Sequence, residues 1–398
     1  MIVLSGAELV LPDRILTPGT LSLDGDRIAD VRAGGIATSA LHGHYIVPGL
    51  IDVHVHGVEG VDTLGGGEAV AAIAKALPRY GVTAFCPTTV ACGPRALARV
   101  VDQVRSARQG PAPHAARVLP AHLESNFINA DFRGAQPSRC LRAPAEALAR
   151  QPIAGKAATD EEFTAGDILR EIERGAPDIG IVTLAPELTG ALELIRWLRE
   201  LGHHVSLGHS GATYEQALDA IAAGATQATH LFNRMPPVHH RAPGLAGAVL
   251  QTAEVAAEII CDGVHVHPGL VRSTIAAKRP SRVMAITDAT AGAGLAPGSL
   301  TTLGGQTISV GASVAHLEDG TIAGSILTMD RAFRQLVTAM GVPVVDAVTM
   351  CSTTPARELG LTGHGIIAPG AVADLVVLDN HFSVVQTYIA GQLVFSRA

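Results

Sequence analysis

Six residues of two chemical kinds recur in one kind of place along this chain. His54 and His56 stand two apart in GLIDVHVHG, Glu124 closes ARVLPAHLE, His209 closes HHVSLGH, His230 closes ATQATH and Asp288 closes RVMAITD. Each ends a short apolar run. Neutral imidazole and carboxylate are donors for zinc, iron, cobalt or nickel, and residues i and i+2 of a strand can both reach an ion where the strand ends and twists. Taken singly, a histidine at a strand end is an ordinary hydrogen-bonded residue, and a lone carboxylate there caps a helix or sits in a solvated turn. Six such residues at five strand ends point instead to a shared divalent metal.

Something must bring those ends together. Between Pro48 and about Asp288, eight β-branched-rich runs (IVPGLIDVHVH, VTAFCPTTV, ARVLPAHLE, IGIVTLA, HHVSLGH, ATQATH, VAAEIIC and RVMAITD) are separated mostly by stretches of helical period. The expected helices include EAVAAIAKALPRY, RALARVVDQVRSARQ, DEEFTAGDILREIERG, TGALELIRWLRELG and TYEQALDAIAAG. This alternation predicts an α/β fold, a (β/α)8 TIM-like barrel whose strand ends converge on one mouth. A doubly wound open sheet gives no reason for a count of eight. The first 47 residues and the segment 365–398 read instead as short strands with Gly/Asp turns, so both chain ends are expected to form a small β-sandwich domain beside a barrel of residues 48–364. A Gly-rich stretch from Ala291 to Gly324 reads as strands and turns, where barrels often build lids.

Composition narrows the function classes. With 398 residues, 47% hydrophobic, 16% charged and 43 glycines, the chain suits a compact enzyme rather than a disordered or fibrous protein. A net charge of -7 without a Lys/Arg cluster argues against a nucleic-acid or membrane-surface partner. An anionic substrate would therefore need a local basic site. The N-terminus has no basic n-region or cleavage site and no 18-residue apolar run occurs, which predicts a soluble cytoplasmic protein. The five cysteines, Cys86, Cys92, Cys140, Cys261 and Cys351, are scattered without CxxC pairing and suggest neither a disulfide framework nor a thiolate zinc site.

The stretches PGLIDVHVHG, HLESNF, GHSGATY, ATHLFNRMPP, RAPGLAGA, DGVHV, ITDAT, AGS and PARELGL carry a resemblance. From about residue 47 to 361 the chain resembles the amidohydrolase superfamily and, within it, the N-acetylglucosamine-6-phosphate deacetylases. The resemblance implies that His209, His230 and Glu124 bind the main metal, Glu124 taking the place that a carboxylated lysine fills in many relatives. The chain has only three lysines, Lys75, Lys156 and Lys278, and IGIVTLAPEL contains none, which disfavours the dihydroorotase or hydantoinase pattern. His54 and His56 add a second metal position, so one or two ions are implied, zinc first and iron, cobalt or nickel as alternatives. Asp288 is both a metal ligand and the catalytic group, general base toward water and then acid toward the departing amine. Substrate contacts are implied at Ala135, Gln136, Asn233, Arg234, Arg241, His265, Ile322, Ala323 and Gly324. Arg241 is the phosphate clamp, reaching the site of a partner subunit, so a homodimer is implied.

Three departures from that family fall in the site. Glu124-Ser125-Asn126 replaces Glu-Gly-Pro, Gly134-Ala135-Gln136 replaces Gly-Ala-His, and Asn233-Arg234 replaces Asn-Ala or Asn-Gly. Gln136 is the expected catalytic donor to the acetyl carbonyl, but it cannot carry charge or shuttle a proton as histidine can. Arg234 either adds a second cation or reshapes the pocket for another acyl-amine. Three functions therefore compete: deacetylation of an N-acetylated amino-sugar phosphate, hydrolysis of a different N-acyl or cyclic amide, and binding without catalysis. The six intact metal-binding residues disfavour the last.

Overall fold

The computed structural model describes residues 1–35, 41–148 and 158–397. Ser39 and Ala40, the start of the predicted run SALHGHYIVPG, lie outside that set, as does Lys156. Eight parallel strands form the centre: β1 (Leu50–Val55), β2 (Val82–Thr89), β3 (Ala121–Glu124), β4 (Ile179–Leu184), β5 (His204–Leu207), β6 (Gln227–Ala228), β7 (Ala256–Ile260) and β8 (Val283–Ile286). They pair in chain order, and the ring is drawn shut just past the strand ends. There Val55 bridges Ala289, the Asp288 N–H donates to His54 O at 3.0 Å and the His56 N–H to Ala289 O at 2.7 Å.

Helices α1 (Ala69–Ala76), α2 (Pro94–Gln109), α3 (Ala165–Arg174), α4 (Ala191–Glu200), α5 (Tyr214–Ala223), α6 (Gly244–Gln251), α7 (Pro268–Lys278) and α8 (Met329–Thr338) follow the strands. Their apolar faces supply the outer core. In α3, Ile168, Leu169 and Ile172 are buried, each contributing ~1.5–3 kcal/mol. This helix starts later than its charged run DEEF suggests. Thr164 accepts from the Asp167 N–H while Asp167 accepts from the Thr164 N–H, a reciprocal cap that fixes the first turn. β6 is shorter than ATQATH because the chain leaves the ladder two residues before His230.

Buried on both faces, β1 is apolar except at Asp52 and His54. The period of two puts those two on one face, as it does His122 and Glu124 of β3. The interior thus carries polar groups in layers.

Both chain ends meet in one seven-stranded sheet. Its order is Gln392–Ser396, Val384–Ile389, Leu375–Leu378, Tyr45–Pro48, Ile2–Val10, Ile15–Asp24, Arg27–Ala33. It encloses a core of its own that includes Leu9, Leu21, Ile46, Leu375 and Val377. The run IVPGLIDVHVH divides between the two sheets at Gly49, where a Cβ would lie 2.1 Å from Thr83 Oγ1, so no other residue fits without displacing β2.

The Gly-rich stretch after β8 is a four-stranded antiparallel sheet, Leu300–Leu303, Gln306–Val310, Val314–Leu317 and Ile322–Ser325, beside the barrel mouth. It is stitched to the barrel. Gln306 Nε2 donates to Ala135 O at 2.8 Å, the Ser325 N–H to Asp288 O at 2.7 Å, and the Thr290 N–H to Ser325 O at 3.0 Å.

Candidate active site

The six residues that opened the argument converge. His209 Nε2 and His230 Nε2 each lie 2.8 Å from Glu124 Oε1 and 3.0 Å from one another. His54 Nε2 and His56 Nε2 are 3.2 Å apart and lie 3.5 and 3.3 Å from Asp288 Oδ1. Glu124 joins the two groups, with Oε1 3.7 Å from His54 Nε2 and Oε2 3.5 Å from His56 Nε2. All six are buried.

Backbone geometry aims several of these side chains. His209, His230 and Asp288 stand two residues past their strands with φ of 49°, 30° and 50°. Left-handed backbone at a non-glycine residue costs on the order of 1–3 kcal/mol and persists only where neighbours enforce it. Here the enforcing bonds are visible. Asn129 N–H donates to His209 O at 3.1 Å, Asn233 N–H to His230 O at 2.9 Å, and Asp288 is held through both its N–H and its carbonyl.

The tautomers decide what the histidines offer. Phe132 O can only accept, so His209 Nδ1, 2.8 Å away, carries a proton and Nε2 is the ring atom that faces Glu124. His54 Nδ1 likewise donates to the Glu258 carboxylate at 3.0 Å, leaving Nε2 as a lone pair. Lone pairs and a carboxylate oxygen about 3 Å apart repel unless a proton or a cation sits among them. Burial opposes charge on His230, but its hydrogen bond to Glu124 and that residue's charge outweigh it and lift the imidazole to about 9. Glu124 is held well below the usual carboxylate range by the histidines despite its burial. His56 is likewise raised, burial being outweighed by Asp288 and Glu124, while burial drives His54 down to about 3. Asp288 sits low in spite of burial because His54 and His56 face it.

These are the features of a cation site. Glu124–His209–His230 and His54–His56–Asp288 are two of the groups among the described residues that could hold a metal ion. In the third, His54–His122–Glu258, the ring nitrogens that face Glu258 are already engaged. His122 Nδ1 donates to Val53 O at 3.0 Å and its Nε2 meets Thr183 Oγ1 at 2.8 Å. That group is a support beneath the other two. Asp52 belongs to the same layer, accepting from Thr287 Oγ1 at 2.6 Å and tying β1 to the end of β8.

Above the cluster opens a pocket of about 540 Å³, within the usual size range of small-molecule sites. His56, Glu124, His209, His230 and Asp288 line its floor, and Ala135, Gln136, Asn233, Arg234, His265, Ile322 and Gly324 its walls. His54 lies beneath, fully buried. Ala323 does not reach the pocket; it is buried in a small core with Val90, Leu303 and Ile308. Arg241 lies outside it too, exposed, with Nη1 2.7 Å from His240 Nε2. Gln136 is pinned at both ends of its amide. Its Oε1 accepts the Ala91 N–H at 2.7 Å and its Nε2 donates to Glu124 Oε2, leaving one amide hydrogen for a ligand. Ser125 and Asn126 are buried and spent on backbone, Ser125 Oγ on Thr183 O and Asn126 Nδ2 on Cys92 O and Cys140 O, so they brace the loop rather than face the pocket.

The sequence reading missed Glu258, His122 and Asp52. Their signal was present: each is a polar residue inside an apolar strand, in VAAEIIC, PAHLE and LIDVHVH.

Comparison with known proteins bears on the same residues. Residues 45–394 match the Amidohydrolase family. The chain is 38% identical to the N-acetylglucosamine-6-phosphate deacetylase of Homo sapiens, over 99% of this chain and 94% of that one. It is 33% identical to the N-acetylgalactosamine-6-phosphate deacetylase of Escherichia coli O157:H7, over 98% of each. A mutant N-acetyl-D-glucosamine-6-phosphate deacetylase from Mycobacterium smegmatis, solved in complex with N-acetyl-D-glucosamine-6-phosphate, has a TM-score of 0.87 and 35% identity over 99% of both chains. By sequence along nearly its whole length and by fold, the chain belongs to the amidohydrolase family, among its N-acetylglucosamine-6-phosphate deacetylases.

Proposed function

We propose that the chain is a metal-dependent hydrolase that removes the acetyl group from an N-acetylated amino-sugar phosphate, N-acetylglucosamine 6-phosphate before its galactosamine epimer. The observation that carries this reading is the convergence of Glu124, His209 and His230 with His54, His56 and Asp288 on the floor of one pocket. Glu124, His209 and His230 would hold one divalent ion, and His54, His56 and Asp288 a second, with zinc first among the candidates and iron, cobalt or nickel behind it. Such an ion supplies a Lewis acid that polarises the acetamide carbonyl and lowers the pKa of water toward ~7.

The chain's own residues do the rest. Asp288, low in pKa and on the pocket floor, takes the proton of the attacking water and returns it to the amine nitrogen as the C–N bond breaks. The free amide hydrogen of Gln136 donates to the carbonyl oxygen as charge develops there. Asn233, Arg234, His265, Ile322 and Gly324 enclose the sugar phosphate. His265 is ion-paired with Asp262 at 2.6 Å, which raises its pKa against burial and favours the cationic form that suits an anion.

A second reading, hydrolysis of another N-acyl amide, is favoured by Gln136 and Arg234, which face the ligand where the sequence departs from the family. We also infer a cytoplasmic homodimer. Free, buried cysteines suit a reducing compartment, no helix among the described residues is long and apolar enough to cross a membrane, and Arg241 lies away from the pocket of its own chain, as a residue serving a partner's site would. The same reading divides the chain into a small domain of residues 1–47 and 365–398 and a barrel of 48–364.

The deciding experiment measures acetate release from phosphorylated and unphosphorylated N-acetylhexosamines by metal-reconstituted protein. Release should be fastest with the 6-phosphates and fall ~10³-fold or more in Asp288→Asn, because the proton acceptor is gone. No release from any of them at full metal occupancy would sink the proposal.

A further inference from the structure

We infer that Glu258 is a positioning residue of this site: from behind the ligands it fixes the tautomer and direction of His54, so that His54 Nε2 is presented to a metal as a lone pair. The inference rests on the metal-site reading above.

Glu258 sits in the middle of β7, flanked by Ala257 and Ile259, and is fully buried. Its Oε2 takes the His54 Nδ1–H at 3.0 Å and lies 3.4 Å from the His230 backbone N–H. Its Oε1 has no hydrogen-bond partner among the described residues. The nearest ring nitrogen, His122 Nδ1, is 3.8 Å away and already gives its proton to Val53 O. No Lys or Arg pairs with this carboxylate among the described residues.

A half-satisfied carboxylate inside a barrel is destabilising, and an apolar side chain of similar size would serve folding better. Packing therefore gives no reason for it, whereas His54 does. A neutral imidazole without a partner at Nδ1 divides between two tautomers, and the one protonated at Nε2 points a hydrogen at His56 Nε2, 3.2 Å away, and cannot ligate. A carboxylate on Nδ1 removes that tautomer, orients the ring and makes Nε2 more basic. The histidines differ in this respect. His209 is held by a backbone carbonyl, while His56 Nδ1 and His230 Nδ1 are buried without partners, so His54 alone of the four is supported by a side-chain carboxyl group.

The test uses the full chain in four forms: wild type, Glu258→Met, Glu258→Gln and His54→Ala, with Glu258→Met also made in the His54→Ala background. Each is loaded with zinc, dialysed against graded chelator and analysed for metal content, and each metal-free form is melted. Glu258→Met should release its more weakly held metal at ~10- to 100-fold lower chelator strength, with metal-free melting no lower than wild type. Glu258→Gln, whose amide oxygen can still accept from Nδ1–H, should fall between them, and it carries the test if the methionine variant does not fold. In the His54→Ala background Glu258→Met should change metal retention no further. Wild-type retention in both single Glu258 variants overturns the inference, as does an equal loss with and without His54. A wild-type chain that takes up no zinc overturns the metal-site reading and this inference with it.

Discussion

Replacing Gln136 with leucine removes both ends of one buried amide. The Ala91 N–H loses its acceptor and Glu124 Oε2 loses its donor. An unsatisfied buried N–H costs ~1–3 kcal/mol and a lost hydrogen bond to a charged group ~1.5–3 kcal/mol. The added apolar contact of leucine recovers part of this, leaving about 2–4 kcal/mol. For a chain of 398 residues the unfolding entropy is ~0.8 kcal/mol/K, so the metal-free protein should melt ~3–5 °C lower. If the remaining amide hydrogen also serves the acetyl oxygen, kcat at saturating metal and substrate should fall ~10²- to 10³-fold. Scanning calorimetry of the metal-free form and initial-rate acetate release measure the two effects separately. Lower melting with kcat within a factor of ten of wild type would confine Gln136 to holding Glu124. Unchanged melting together with unchanged kcat refutes the reasoning altogether.

Arg234 is the only Lys or Arg among the described residues lining the pocket. Arg234→Ala should raise KM for a 6-phosphorylated substrate by ~10- to 100-fold, the worth of one charge-assisted contact, and leave that for the unphosphorylated sugar nearly unchanged; an equal change in both would remove the phosphate from its role. Lys278 is buried, with Nζ donating to Val249 O at 2.9 Å and to Thr252 O, and burial pushes its pKa down from 10.5 to about 8. The unfolded chain then binds the extra proton between about pH 8 and 10.5, so this group makes stability rise with pH through that window, by about 3 kcal/mol at most. Urea denaturation of wild type and Lys278→Met across those pH values should show the wild type gaining on the variant, and a constant difference would contradict the shift.

Much of the fold was legible because its signals are local and repeated. Each of the eight apolar runs contains one barrel strand, and the five helical stretches named between them survive as α1 to α5 with small shifts at capped ends, as at Thr164. The six metal-type residues were legible for the same reason: each ends its run. What escaped was what depends on partners distant in sequence. Glu258 is one acidic residue in VAAEIIC, and nothing near it announces that His54 lies behind it, 204 residues away. The left-handed backbone of His209, His230 and Asp288 leaves no mark on residue type, since glycine, the usual sign, is absent there. Arg241 and Ala323 were named from resemblance, and in the structure one lies on an exposed loop and the other faces a small core. Gly134 shows a mixed case: its φ of 60° favours glycine locally, while the Arg234 side chain that passes 2.5 Å from where a Cβ would stand comes from 100 positions later.

The strand Ile322–Ser325 that walls the pocket is bonded through the Ser325 N–H to the carbonyl of Asp288 and through Ser325 Oγ to Thr287 O at 2.5 Å. The outer sheet is therefore no independent flap. Any swing that admits or releases a ligand past Ile322 pulls on the peptide units that set the angle of the Asp288 carboxylate, the group we propose moves the proton, so entry and the proposed chemistry share one mechanical linkage.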